Sequence, residues 1–248
     1  MEVHAHTHTP RKNWTHYLWE FLMLFLAVFC GFLAENQREH MVEHQREKKY
    51  MESLVSDLAL DTVMLNQGFP RRDGRIKAID TVFRFFKTHE GGRSITGKLF
   101  RTIRRTTYDL PYRRNNITIN QLKNSGGMRL IRKKNVADSI AAYDARWEWL
   151  QYYYENHVKT GQIGQDFAEK LVNANDLLEA YSDNATEAIV SNIPDSITIR
   201  INTIYLNEHL NFLMRQKIFT RQDWNLYKHL EESAERLLAL IKKEYHLE

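Results

Sequence analysis

The residues best suited to chemistry are His40-Met41-Val42-Glu43-His44, which have the H-x-x-E-H order of one metallopeptidase class. On a helix His40 and His44 share a face, so they are the metal-ligating candidates. A zinc centre also needs a third ligand and a shaped cavity, and this stretch lies six positions past an apolar run in a row of charges. No catalysis is expected from it. A second group is Arg101, Arg104, Arg105, Arg113 and Arg114, whose guanidinium forks could take a phosphate or carboxylate. Clustered arginines are more commonly solvated or paired with acids, and no nucleophile–base pair accompanies these. His4, His6 and His8 alternate with other residues in a tail too short to fold, and could hold a transition metal only loosely. A third group centres on Glu20, an acid inside an apolar run. Ala27, Gly31 and Ala34 share its helical stripe in the small-xxx-small arrangement that lets two helices approach closely. Such an acid either reaches the headgroup zone or faces a partner helix. The expectation is a protein without enzymatic activity and without a cofactor.

The stretch that must position all of this is Trp14 to Ala34. Phe21–Ala34 is apolar without interruption, and extending it back to Tyr17 adds only Glu20 as a break. Eighteen helical residues span roughly 27 Å, close to the hydrocarbon thickness of a bilayer. Trp14, Tyr17 and Trp19 form an aromatic belt at one end, with Arg11 and Lys12 outside it. A secretory signal would have a shorter apolar core and a small-residue cleavage site, whereas Glu35-Asn36-Gln37-Arg38 follows here. Residues 14–34 therefore read as an uncleaved transmembrane helix. The sole cysteine, Cys30, lies inside it, so no intramolecular disulfide can form. Flanking Lys and Arg favour a cytoplasmic C-terminal domain, while a short Arg-Lys tail commonly stays inside. The expectation is the inner membrane, with the domain outside the cytoplasm.

Net charge is strongly segregated. Residues 67–134 hold 18 Lys/Arg against 4 Asp/Glu, and residues 135–248 hold 11 against 18. Either the two parts neutralise each other or the basic segment meets an anionic partner, with lipid headgroups ahead of nucleic acid because no nucleic-acid-binding signature accompanies the charge.

Past Ala34 the helix continues as a polar stalk with Glu35–Arg38 and Glu43–Arg46 pairs, and gains an apolar stripe from Met51 (residues 35–66). Gln67-Gly68-Phe69-Pro70 is expected to end it, and a second helix fits Arg72–Lys87. Ser94–Thr106 reads as a short basic helix, broken by Asp109-Leu110-Pro111. Asn124-Ser125-Gly126-Gly127 is a helix end and turn. Asn135 with Asp138 resembles a capping box opening a long helix through Val136, Ile140, Tyr143, Trp147, Leu150 and Tyr154. That helix is expected to extend, with a weaker pattern, past Gly161 and Gly164 to Leu178 and Tyr181, before Ser191-Asn192-Ile193-Pro194 interrupts. Helices at Asn202–Lys217 and from Thr220 complete an all-α chain, a transmembrane helix and stalk followed by an elongated antiparallel bundle. Residues 196–205, SITIRINTIY, are β-like in composition.

Two stretches carry a resemblance. YLWEFLMLFLAVFCGFLAENQREH is similar to the anchor of a large uncharacterised family of bacterial single-pass membrane proteins. ITINQLKNSGGMRLIRKKNVADSIAAYD resembles its internal LK-x-S-G-x-x-x-L-I block, through Leu122, Lys123, Ser125, Gly126, Leu130 and Ile131. The family's Asn-Asn-Trp-Asn after the anchor is absent. The resemblance implies a single-pass helical protein and carries no activity. The functional expectation is a self-associating, membrane-anchored scaffold or sensor-like module, with peripheral binding of anionic lipid by residues 71–134 as the alternative and a hydrolase built on the stalk histidines behind both. Its partners would be membrane lipid and a second copy or another membrane protein.

Overall fold

The computed structural model describes residues 13–107, 112–178 and 193–247. The histidine tail, the Asp109-Leu110-Pro111 break, Tyr181 and Ser191-Asn192 lie outside them. The described elements are helices α1 (Trp14–Thr88), α2 (Gly97–Thr107), α3 (Ile117–Asn124), α4 (Lys134–Leu171), α5 (Ala174–Leu178) and α6 (Leu206–Tyr245), with short strands β1 (Ser94–Thr96) and β2 (Thr198–Arg200). The chain is all-α. It divides into two units, Met1–Tyr50 and Met51–Glu248.

In the first unit α1 is long and apolar enough to cross a membrane, and none of that apolar window is buried. Phe21, Phe25 and Phe29 stack at one-turn spacing, with centroids 6.3 and 5.9 Å apart. After the apolar run, Arg38 forks onto Glu35 at 2.5 and 2.9 Å.

The second unit is framed by three long helical segments. Residue pairs across α4 and α6 run in opposite senses, Asn135 with Glu244, Arg146 with Ser233 and Tyr153 with Gln222, so these helices are antiparallel. Arg72 lies over Tyr227 and Asp80 pairs with Lys217, so α1 and α6 are antiparallel too. One end is closed by a cluster of Ile79, Val82 and Phe86 from α1, Ile95 from β1, Leu99, Phe100 and Ile103 from α2, and Phe212 and Leu213 from α6.

Five local expectations are corrected, the first at the end of α4, which stops at Leu171 with Val172 extended instead of running on to Leu178. α1 runs through Pro70 instead of ending at Gly68. Met51, Leu54, Leu58, Asp61, Leu65, Gly68, Arg72, Arg75, Ile79, Val82 and Phe86 advance in alternating steps of three and four, and all but Gly68 are buried. That packed seam holds the helix together across Pro70, which sits on the exposed side and removes one backbone hydrogen bond. Ser94–Thr96 is a strand, not the start of a helix, because it pairs antiparallel with Thr198–Arg200 in the β-like stretch. No helix starts at Thr220. α6 is continuous there, and the buried Thr220 hydroxyl donates to the Gln216 carbonyl one turn back. The Asn135–Asp138 box does not form either: α4 begins at Lys134, and Asn135 donates its side-chain amide to Glu244. The turn after α3 is as expected, with Gly126 at φ 69°, where a side chain would be strained.

Candidate functional site

Two carboxylates on the buried face of α1 organise the chain around the next helix. Asp61 accepts hydrogen bonds from the Asn115 backbone N–H and the Tyr143 hydroxyl, each at 2.8 Å. Asp57, one turn earlier, accepts from the Asn115 side-chain amide at 2.8 Å and from the Thr118 N–H at 3.1 Å. The N-cap residue of α3, Asn116, makes no side-chain cap bond, so Asp57 satisfies a first-turn donor from across the fold. Burial pushes the Asp61 carboxyl up from its ordinary range, against the bonds from Asn115 and Tyr143. Burial beside Asp61 raises the Tyr112 and Tyr143 hydroxyls, keeping both neutral.

Beside this network Arg114 is buried and pairs with Asp144 at 2.7 Å, and Lys123 bridges Asp144 and Glu148 at 2.8 and 2.7 Å. Burial alone raises the Asp144 carboxyl, but the bonds from Lys123 and Arg114 outweigh it and leave it below the ordinary value. Arg101 donates to the Ile193 carbonyl and to Asp195, and Lys133 pairs with Glu244 at 3.1 Å. The basic segment is thus partly neutralised by the acidic part of the chain, as one of the two sequence readings held.

Six further cations of the chain lie together in one place. A groove of about 810 Å³ opens along α1 and α2, bounded also by Tyr112 and Tyr227. Arg71, Arg72, Arg75 and Lys77 reach it from α1, and Lys98 and Arg105 from α2, and no Asp or Glu among the described residues lines it. Arg75 gives two bonds to the Thr106 carbonyl and one to Gln216. Arg72 is only 6% exposed, its guanidinium lies 3.6 Å from the centroid of Tyr227, and its Nε has no hydrogen-bond partner.

Of the arginines singled out in the sequence, only Arg105 lines this groove. Arg101 and Arg114 are committed to Asp195 and Asp144, Arg113 is exposed elsewhere, and the five do not form one pocket. The groove cations from α1 were hidden by the expected break at Gly68, which set residues 71–77 on a separate helix. His40 and His44 lie 3.9 and 3.5 Å from Glu43 and Glu47. No cluster of three or more His, Cys, Asp or Glu among the described residues could hold a metal. Glu20 sits 3.0 Å from His16, one turn toward the aromatic end, and Ala27, Gly31 and Ala34 are exposed.

Comparison with protein-family models, with curated proteins and with solved structures finds no match.

Proposed function

We propose that this chain is a single-pass, membrane-anchored helical interaction protein, without enzymatic activity, that self-associates through its membrane helix. The observation that carries the reading is the apolar run of α1: Phe21, Leu24, Val28 and Phe32 are each 64–68% exposed, with no protein surface covering them. Water would penalise such a helix on every side, and a bilayer would not. Glu20 pairs with His16 toward the aromatic belt, which leaves Ala27, Gly31 and Ala34 as the close-approach face for a second copy or another membrane protein. The short N-terminal tail with Arg11 and Lys12 beside the apolar run supports an inner-membrane location with the helical domain outside the cytoplasm.

Two measurements test this. Gly31→Ile places a branched side chain where a partner backbone would come close, with nothing of this chain within 4 Å to be disturbed. Crosslinked dimer of the full chain in membranes is expected to fall several-fold, and an unchanged dimer fraction removes the helix-interface reading. For topology, Cys30 is the only native thiol and lies in the apolar run. A second thiol at exposed Asn207 (Asn207→Cys) is expected to react with an impermeant maleimide in intact cells whose outer barrier is permeable. Reaction only after permeabilisation would put the domain on the cytoplasmic side.

A further inference from the structure

The packed seam of α1 has a bare counterpart on the outer side of the same helix. Ser56, Ala59, Val63, Asn66 and Pro70 also advance in alternating steps of three and four, and all are exposed. Beside Ala59 on this side, Leu60 is 55% exposed, Val63 54% and Met64 48%, an apolar centre with no protein surface over it.

No charge interrupts this side. Every exposed residue of α1 from Ser53 to Pro70 is uncharged. The acids of the stretch, Asp57 and Asp61, are buried and hold Asn115, Thr118 and Tyr143. Equal lengths of the other long helices differ. Residues 207–224 of α6 expose Glu208, Arg215 and Arg221, and residues 134–151 of α4 expose Lys134, Asp138, Arg146 and Glu148. The polar side chains on the outer side of α1 also bond to their own helix. Ser56 donates to the Glu52 carbonyl, Thr62 to that of Ala59, and Asn66 to that of Thr62. Covering this side therefore leaves these donors satisfied and removes no charge from water.

We propose that this side of α1 is the contact surface between the helical domains of two copies of the chain, packed in parallel with each seam residue facing its twin. Charge favours a second copy as the occupant. A parallel two-fold contact sets every seam residue against itself, so a charge there would meet its like. The uncharged stretch is bounded by Glu52 and Arg71, and a partner recognised by charge would find nothing to pair with between them. Val63, at the centre of the seam, is of the β-branched type that suits two-stranded packing. The strip is about 27 Å long and about 10 Å wide. That is well below the roughly 800 Å² per partner that freely diffusing dimers bury. It suffices between copies that one membrane already holds parallel and at high local concentration. In that respect the inference rests on the self-association proposed above.

The test uses the full chain in the membranes of the cells that express it, with Cys30→Ala removing the sole native thiol. Ser56→Cys, Val63→Cys and, as a control on α6, Arg221→Cys are each introduced singly at exposed positions. Mild oxidation with copper phenanthroline is expected to link Ser56→Cys and Val63→Cys chains as dimers, and Arg221→Cys chains several-fold less, since a disulfide needs Cα atoms within about 7 Å. Adding Val63→Glu to the Ser56→Cys chain should lower its dimer several-fold, because the new carboxylate faces its twin. Val63 is exposed, so the urea midpoint should stay where it was. Adding Gly31→Ile instead separates the two contacts. A Ser56→Cys dimer that survives Gly31→Ile but not Val63→Glu supports the domain contact and rejects the membrane-helix one, and loss with either supports both. Four results overturn the proposal: no dimer at Ser56 or Val63, equal dimer at all three positions, a Ser56→Cys dimer unchanged by Val63→Glu, or a disulfide to a different protein in place of the dimer.

Discussion

Asp61→Ala is expected to lower the stability of the helical domain by about 4 kcal/mol, the cost of breaking a buried, hydrogen-bonded charge network by deleting one member. Asp61 is 1% exposed, and its two oxygens hold the Asn115 N–H and the Tyr143 hydroxyl. Removing the carboxylate leaves a backbone donor and a fully buried hydroxyl without partners and opens a small cavity between α1 and α4. The effect should spread to α3, because Asn115 also donates to Asp57, which caps that helix through Thr118. Asp61→Asn should cost less than half as much. It retains the shape and one acceptor, and it removes a charge that burial already disfavours, as the raised carboxyl pKa shows. The sign follows: a carboxyl with a raised folded pKa gains relative stability as pH falls from that pKa to its ordinary value. The gap between native and Asp61→Asn chains should therefore change with mild acid, while Asp61→Ala stays the least stable. Urea unfolding of the full chain in detergent checks this order. An Asp61→Ala chain within 1 kcal/mol of native would show that the network only decorates packing supplied by the apolar seam.

These two aspartates also mark where the sequence stopped being readable. The apolar run 17–34 was legible because composition and length alone separate a bilayer-length helix from its surroundings. The inward residues of α2 and α4 were legible because their spacing is local, and Leu99, Phe100, Ile103, Val136, Ile140, Tyr143, Trp147 and Leu150 are all buried. Pro70 and Thr220, by contrast, are local stop and start signals that long-range packing overrides. Asp61 occupies a seam position between Leu58 and Leu65, so a signal existed: an acid in an apolar register that needs donors from elsewhere. Its donors, Asn115 and Tyr143, lie 54 and 82 residues away, a separation that no local pattern reports. The groove has the same character. The excess of cations in residues 67–134 was countable, but which of them converge depends on how α2 lies against an unbroken α1.

The second large effect concerns a residue that no sequence pattern singled out. His209 on α6 is fully buried, its ring lies 6.4 Å from that of Phe212, and neither ring nitrogen has a hydrogen-bond partner. Burial pushes its pKa down to about 4, from an ordinary 6.5. Between those values the unfolded chain binds a proton that the folded chain refuses. Stability from this group is therefore complete above pH 6.5 and is lost as pH falls toward 4, by about 3 kcal/mol over the window. His209→Leu has similar volume and cannot be protonated, so it should abolish that loss. At pH 7 it should be neutral or stabilising by about 1 kcal/mol, because it replaces two unsatisfied polar atoms with an apolar side chain. Asp144, whose carboxyl is held below its ordinary value, loses its contribution only at lower pH, and does so equally in both proteins. The informative quantity is the difference between native and His209→Leu stabilities at pH 7 and pH 4.5, which should widen by at least 2 kcal/mol in favour of the variant. Parallel pH profiles would mean that His209 finds water or a partner on protonation. The interior of α6 would then have to open locally near neutral pH, beside the Gln216 that holds Arg75 at the groove.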